Sequence, residues 1–141
     1  MARERKLVVD HLEGASFEIG IRDHRVVVDQ PFHVGGSDEG PTPSELFVAS
    51  VASCAAFYGW RFLSTRNLQD QVDVVARWEV ESRPDRVSRI FLEVHAPGVP
   101  EDRMEAFHRV LRGCLVHNTL ERGCPVDVEL VSDRAVSVLT S

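Results

Sequence analysis

One cysteine lies in the middle of the longest apolar stretch of this sequence, PTPSELFVASVASCAAFYGW, at residues 41–60. A cysteine thiolate can attack a peroxide or a disulfide, but the thiol must first lose its proton, which requires a nearby positive charge or a helix N-terminus. Cys54 is therefore the first candidate for chemistry. The alternative is that it packs among the neighbouring alanines as a small apolar residue.

The chain contains two further cysteines, Cys114 and Cys124, and has no C-x-x-C pair. An odd number without regular spacing argues against a disulfide framework, and a reducing cytoplasm would leave reactive thiols, a metal site or packing as the choices. The three cysteines with His117 lack the short paired spacing of zinc sites, so no metal is predicted.

Two other features near these residues have competing interpretations. His117 could share a face with Cys114 and assist proton transfer, or it could be a surface or capping residue. Asn118 and Thr119 are interpreted as partners of the local backbone. GGSDEGP lacks the Lys and Ser/Thr of a nucleotide-binding loop, so it is predicted to be a turn and no cofactor is expected.

Composition predicts one ordinary globular domain over residues 1–141, since 43% of the residues are hydrophobic and 27% are charged. The net charge is −6 and there is no basic block. This argues against a nucleic acid or an anionic membrane as the main partner and favours a small neutral or organic substrate.

The N-terminal sequence and the longest uncharged run both bear on the cellular location of the protein. The N-terminal sequence MARERKLVVDHLEG lacks the apolar core of a secretion signal, which predicts a cytoplasmic protein. The uncharged run at residues 46–60 is shorter than the roughly 18–20 apolar residues that span a bilayer. It is therefore interpreted as a buried helix.

The first third of the chain predicts a β-hairpin and a loop. Residues 17–21 and 25–29 are expected to form two strands about a polar turn, and HVGGSDEGPTP is rich in turn-forming residues. Thr42 or Ser44 can cap the helix that follows, while Pro43 and Glu45 suit its first turn. This helix is expected to run to about residue 67.

The remaining elements complete an α+β domain with antiparallel sheet and segregated helices. Alternating residues at 72–81 and 87–95 predict a long hairpin, one or two helices are expected to end at Gly123, and residues 124–131 predict a last strand. AVSVLTS at residues 135–141 could extend the sheet. Because the first long helix is apolar on every side, a second subunit is expected to cover part of it.

Three features of the sequence occur together: the motifs GG and GPTPSEL, a cysteine nine residues after Glu45 on a long apolar helix, and a late C-x-V-x-N-T-L. In this combination the sequence resembles the OsmC/Ohr family of thiol-dependent hydroperoxide reductases. The resemblance extends over roughly residues 17–130. It implies an OsmC-like fold with antiparallel sheets, a long buried central helix and an intertwined homodimer whose sites lie at the subunit interface.

The same resemblance implies how the cysteines act. Cys54 would attack the peroxide as a thiolate and become a sulfenic acid, and Cys114 would condense with it to a disulfide, which protects the sulfenic acid from over-oxidation. A dithiol reductant, such as a lipoylated protein, would restore both thiols. Cys124 matches no family cysteine and is interpreted as structural.

The resemblance also implies a cation and its partner. Arg22 in GIRDHR is the best match to the family's activating arginine, with Arg25 second, and both could instead be solvated turn charges. Glu45 lies one position later than the glutamate of the peroxidase branches, a rotation of about 100° on a helix. The broader OsmC-like branch carries the glutamate in this later place.

The function predicted from the sequence is thus a peroxidase that reduces organic hydroperoxides. Phe47, Phe57, Tyr58 and Trp60 would suit an alkyl or lipid peroxide, although they could equally form core. The alternative is an OsmC-like protein that senses redox state or binds a ligand without turnover.

Overall fold

A computed structural model describes residues 2–131 of the chain. The described residues group into two compact units, residues 2–46 with 127–131 and residues 47–126. The assignment of the whole chain to one domain therefore stays a prediction, and each unit is described by itself.

A three-stranded antiparallel sheet forms most of the first unit, with strand order β1-β2-β3. The strands are β1 (Val8–His11), β2 (Phe17–Ile21) and β3 (His24–Val28). The register pairs Val8 with Gly20 and Phe17 with Val28. The predicted hairpin is confirmed, with β3 starting one residue earlier than expected. Strand β1 was not predicted, because its four residues carry little alternation of their own.

The loop after β3 is organised by the side chain of Asp29, which is only 1% exposed. Its carboxylate accepts backbone N–H groups from Gln30 at 2.7 Å, Ser37 at 3.2 Å and Glu39 at 3.1 Å. A Cβ atom at Gly36 would collide with the carbonyl of Gln30, so only glycine fits there. The predicted loop is confirmed, and a buried carboxylate is what holds it.

Helix α1 (Pro43–Ser64) begins with a capping box. The Thr42 hydroxyl accepts the N–H of Glu45 at 3.1 Å, and the Glu45 carboxylate accepts the N–H of Thr42 at 2.8 Å. Of the two predicted caps, Thr42 is therefore the one used. The helix ends three residues before the predicted position, at a turn in which Asn67 has a φ of 56°.

One face of α1 is buried within the chain and the opposite face is half exposed. Helix α1 carries apolar residues on all sides, as the sequence indicates. It is not buried on all sides within the chain, however, because the side chains of Phe57 and Trp60 are 50% and 44% exposed. The buried positions are Val48, Val51, Ala55, Gly59, Phe62 and Leu63. Helix α1 is long and apolar enough to cross a membrane. The core helix of a soluble protein can have the same length and composition.

The second unit contains the long hairpin of β4 (Asp73–Glu81) and β5 (Arg86–His95), as predicted. The two strands are antiparallel, and their register runs from Asp73 opposite His95 to Glu81 opposite Arg86, with one irregularity. Alternating apolar and polar residues place one face of this hairpin toward the core and the other toward solvent.

Two short helices, α2 (Met104–Arg112) and α3 (Leu115–Arg122), follow the hairpin and confirm the predicted helical segment. Phe107 of α2 packs edge-to-face on Phe62 of α1, with ring centroids 5.4 Å apart. Together with Leu63 these rings form the buried core cluster of the unit.

The predicted last strand at residues 124–131 is wrong, because these residues form no strand in the structure. Their apolar side chains are almost fully exposed: Val126 by 82%, Val128 by 89% and Leu130 by 96%. The alternating pattern is present, but a strand also needs a neighbouring strand to accept its hydrogen bonds, and no described strand pairs with it. Residues 135–141, which were expected to extend the sheet, lie outside the described residues.

Candidate functional site

The structure brings Cys54 and Cys114 together. Cys54 lies on α1, Cys114 is the N-cap residue of α3, and the two thiols are close enough to influence each other electrostatically. Both cysteines are free, as is Cys124, which is exposed. Spacing along the chain did not predict the contact between Cys54 and Cys114; only the family resemblance implied it.

The two thiols of this pair differ in burial. Cys114 is fully buried, with no exposed surface, whereas Cys54 is partly exposed. A molecule arriving from solvent can therefore approach Cys54 more readily than Cys114.

Burial raises the pKa of the Cys114 thiol, because the thiolate would lose its hydration. The backbone N–H of His117, 3.4 Å from the Cys114 Sγ, opposes this effect by favouring the thiolate. The neighbouring Cys54 thiol reinforces the rise in pKa. At neutral pH Cys114 is consequently a neutral thiol.

Local backbone geometry fixes the position of Cys114. Gly113 ends α2, and the extended conformation of Cys114, with φ −70° and ψ 159°, turns its side chain toward the first free N–H groups of α3. The Asn118 amide donates to the carbonyl of Gly113 at 3.2 Å, and the Thr119 hydroxyl donates to the carbonyl of Leu115 at 2.9 Å. The local backbone roles predicted for Asn118 and Thr119 are confirmed.

His117 is engaged through its ring as well as its backbone. Its Nε2 lies 2.9 Å from a carboxylate oxygen of Glu121, one turn further along α3. Its backbone N–H contacts Cys114, so the residue touches the thiol through the main chain, while the ring is held by a carboxylate.

The three charged candidates from the early part of the chain lie in the first unit. Arg22 is exposed in the turn between β2 and β3, with a φ of 52°, and Arg25 pairs with Glu18 at 3.6 Å. The carboxylate of Glu45 holds the helix cap at Thr42. Among the described residues no ion pair joins Arg22 to Glu45.

One cation stands on the same helix as Cys54. The Arg61 guanidinium lies over the rings of Tyr58, 4.6 Å from the centroid, and Phe57, 5.5 Å from the centroid. Contacts of this kind stabilise a cation by about 0.5–1 kcal/mol at an exposed site. Arg61 is thus held in an aromatic environment along α1.

An apolar groove of about 430 Å³ lies in the second unit, and neither Cys54 nor Cys114 is among the residues that line it. Val51 and Ala55 line it and flank Cys54 along α1, while His117 lines it from the first turn of α3. The other apolar groups come mainly from Phe47 of α1, Ile90, Leu92 and Val94 of β5, and Leu111 and Leu120.

Sequence reasoning missed the polar rim of this groove, where Ser88, Arg89, His108 and Arg112 join His117. One signal was available: His108 and Arg112 are four residues apart on a short helix and must share a face. The packing of that face against β5 depends on tertiary structure, which the sequence pattern does not specify.

The described residues contain no group of three or more His, Cys, Asp or Glu side chains that could hold a metal ion. The zinc alternative considered for the cysteines with His117 therefore has no assembled ligand set in this part of the chain.

Comparison with known families and structures adds an independent line of argument. The model of the OsmC-like protein family matches residues 36–129. None of the curated proteins compared with the chain matches its sequence.

Several solved structures share the fold. A candidate osmotic stress induced and detoxification response protein from Psychrobacter arcticus aligns with a TM-score of 0.75 and 15% identity, covering 84% of this chain and 90% of that one. An OsmC-like protein from Mycoplasma pneumoniae aligns with a TM-score of 0.69 and 18% identity, covering 86% and 89%. An organic hydroperoxide resistance protein OsmC from Legionella pneumophila aligns with a TM-score of 0.64 and 18% identity, covering 86% and 93%. At these identities the likeness shows the α+β fold with antiparallel sheets and a long helix.

Proposed function

The chain belongs to the OsmC family, and on that basis we propose that it is a thiol-dependent peroxidase that reduces organic hydroperoxides with Cys54 and Cys114. The observation that supports the proposal most strongly is the contact between a partly exposed thiol and a fully buried one. In this proposal the partly exposed Cys54 meets the peroxide, and the buried Cys114 reacts with the product.

In the first step the Cys54 thiolate attacks the terminal, hydrogen-bearing oxygen of the hydroperoxide and the O–O bond breaks. Sulfur is oxidised to a sulfenic acid, and the departing alkoxide takes a proton and leaves as an alcohol. The Cys114 thiol does not compete for the peroxide in this step, because its raised pKa keeps it protonated.

In the second step the sulfur of Cys114 attacks the sulfur of the Cys54 sulfenic acid. A disulfide forms, the S–O bond breaks, and the hydroxyl leaves as water with the proton of Cys114. An external dithiol then reduces this disulfide by exchange and is itself oxidised. A lipoylated protein is the proposed source of that dithiol.

A cation is needed to keep Cys54 as a thiolate at neutral pH. We assign this role to Arg22, on the strength of the family resemblance, with Arg25 as the second choice and Arg61 as the third. Arg61 has the support of standing on the same helix as Cys54. In this proposal Glu45 orients Arg22, in competition with its capping contact to Thr42.

The proposed working form is a cytoplasmic homodimer. Large apolar side chains of the second unit are exposed on both α1 and the hairpin, among them Phe57, Trp60, Trp78 and Phe91. Exposed apolar groups of this size favour an interface, since leaving them in water is unfavourable. A second subunit would cover the half-exposed face of α1.

The second candidate function is redox sensing or ligand binding without turnover. The observation in its favour is that the Arg61 guanidinium is stacked on the rings of Tyr58 and Phe57. A Cys54 without an activating cation would react slowly with peroxide and would suit a sensor that is oxidised once.

Turnover separates the two functions. Purified protein is supplied with cumene hydroperoxide and dihydrolipoamide, and peroxide consumption is followed for the wild type, Cys54→Ser, Cys114→Ser and the matched control Cys124→Ser. The peroxidase requires many turnovers per subunit in the wild type and in Cys124→Ser, and none in Cys54→Ser. If the wild type consumes one equivalent of peroxide and then stops, the peroxidase proposal fails and redox sensing becomes the proposed function.

A further inference from the structure

Helix α3 depends on its own ends more than on packing. None of its eight residues is buried, whereas α1 buries six residues and α2 buries Phe107. Residues 116–119 are Val, His, Asn and Thr, which are weaker helix formers than Leu or Glu. A helix shorter than roughly 12–15 residues is only marginally stable without tertiary packing. The contacts that close the two ends of α3 therefore decide whether it stays folded.

The side chain that caps the N-terminus of α3 is the thiol of Cys114. Its Sγ accepts the backbone N–H of His117 at 3.4 Å, in the place where most helices use a hydroxyl or carboxylate oxygen. At the other end the N–H of Gly123 donates to the carbonyl of Thr119 at 2.7 Å. Residues 124–131 follow, and no described strand pairs with them. The first turn of α3 thus relies on the sulfur of Cys114.

A disulfide between Cys54 and Cys114 would draw this sulfur away from its capping position. The two cysteines are free, and an S–S bond requires their sulfurs to approach more closely than two thiols in non-bonded contact. Cys54 lies in the middle of α1, which is fixed by its buried face. Cys114 lies between Gly113 and a helix with no buried residue. The sulfur of Cys114 is therefore the one that moves.

We propose that α3 is a redox-sensitive element, which the reduced Cys114 caps and which frays when Cys114 forms a disulfide with Cys54. The inference rests on the cysteine pair of the proposed function. In that reaction the two thiols lose two electrons and two protons, and the organic hydroperoxide that accepts them becomes an alcohol and water. Fraying of α3 uncovers the disulfide at Cys114, which is fully buried in the reduced protein, and gives an external dithiol access to it.

Hydrogen–deuterium exchange with peptide mass spectrometry measures the opening of α3 in the full-length protein. Every protein carries Cys124→Ser, so that only Cys54 and Cys114 can form a disulfide within the chain, and diamide is the oxidant. On this background Cys114→Ala removes the cap, and Cys114→Ser keeps a capping hydroxyl. The matched control Cys54→Ala prevents the disulfide and leaves the Cys114 cap in place.

Oxidation should speed exchange of the amides at residues 118–122 by about fivefold, the factor expected for the loss of one N-cap, and leave the amides of α2 unchanged. Reduced Cys114→Ala should show the same fast exchange, with or without diamide. Cys114→Ser and Cys54→Ala should stay slow and should not respond to diamide. Fast exchange in Cys114→Ala, which has no disulfide, separates loss of the cap from strain introduced by the crosslink.

Equal exchange in the oxidised and reduced proteins would overturn the inference, as would slower exchange after oxidation, because the crosslink would then hold α3 in place. A Cys114→Ala variant that exchanges as slowly as the reduced parent protein, or failure of diamide to join Cys54 to Cys114, would also overturn it. If α3 responds to diamide but the wild type shows no peroxide turnover, the proposed peroxidase fails and this inference stands. If turnover is present and α3 does not respond, this inference alone fails.

Discussion

Substitution of Gly59 tests whether the close packing of α1 against α2 positions the cysteine pair. A Cβ atom at this position would lie 3.1 Å from both the Leu111 side chain and the Phe107 ring. Both contacts are tighter than ordinary van der Waals distance, so Gly59→Ala should require the Leu111 and Phe107 side chains to shift by a few tenths of an ångström. Cys114 follows the end of α2 directly, which ties this packing to the thiol site.

Two opposing terms decide the change in the free energy of unfolding. Alanine is favoured over glycine inside a helix by about 1 kcal/mol, which stabilises the variant. Overpacking of a filled core costs about 1–3 kcal/mol. With an overpacking cost near the middle of that range, the net result is a loss of about 1 kcal/mol. Gly59→Val adds two further carbon atoms and should lose more.

Urea denaturation of the reduced proteins measures this change, with Ser53→Ala on the exposed face of α1 as the control for a general effect of helix propensity. The yield of the Cys54–Cys114 disulfide after one equivalent of cumene hydroperoxide is measured in parallel and should fall in Gly59→Val. A Gly59→Ala variant that is about 1 kcal/mol more stable than the wild type would refute the packing argument, since helix propensity alone would then explain the result.

Three further predictions follow from individual contacts, each with its own measurement. Thr42→Ala should lower the free energy of unfolding by about 1 kcal/mol in urea denaturation, because the cap of α1 is lost, and an unchanged stability would contradict that role. The pKa of Asp29 is lowered, chiefly by the N–H groups of Gln30 and Glu39, so its ionised form stabilises the fold above the unfolded pKa of about 4, and this is lost as the pH falls through the folded pKa. The stability advantage of the wild type over Asp29→Asn in urea should therefore disappear in acid; an advantage independent of pH would contradict this assignment. Iodoacetamide at pH 8 should alkylate Cys54 before Cys114 by peptide mass spectrometry, because Cys114 is buried with a raised pKa, and the opposite order would reverse the proposed roles.

Local signals in the sequence were sufficient for most of the elements. The alternation in β4 and β5, the turn residues between β2 and β3, and the first-turn chemistry around Thr42 each act over a few residues, so their elements formed as predicted. Residues 124–131 have the same alternation but lack a partner among the described strands. A pattern of side chains can specify which face of a strand is apolar, but it cannot supply the neighbour that completes the sheet.

The candidate site shows the same division between local and tertiary information. The resemblance to the family marked Cys54 and Cys114, and the structure places their thiols close enough to influence each other electrostatically. The charged rim of the groove was not predicted, because Arg89 and Arg112 come from a strand and a helix whose packing the sequence pattern does not encode. Glu45 was predicted as a site residue, and the structure shows it in a capping contact that the sequence also indicated.

The central claim, that Cys54 is the thiol oxidised by peroxide, is tested most directly by trapping its sulfenic acid. In Cys114→Ser the resolving thiol is absent, so the sulfenic acid formed by one equivalent of cumene hydroperoxide should persist long enough to react with dimedone. Peptide mass spectrometry should then find the adduct on Cys54 and none on Cys124. An adduct on Cys124 alone, or none on Cys54 in the folded variant, would contradict the account.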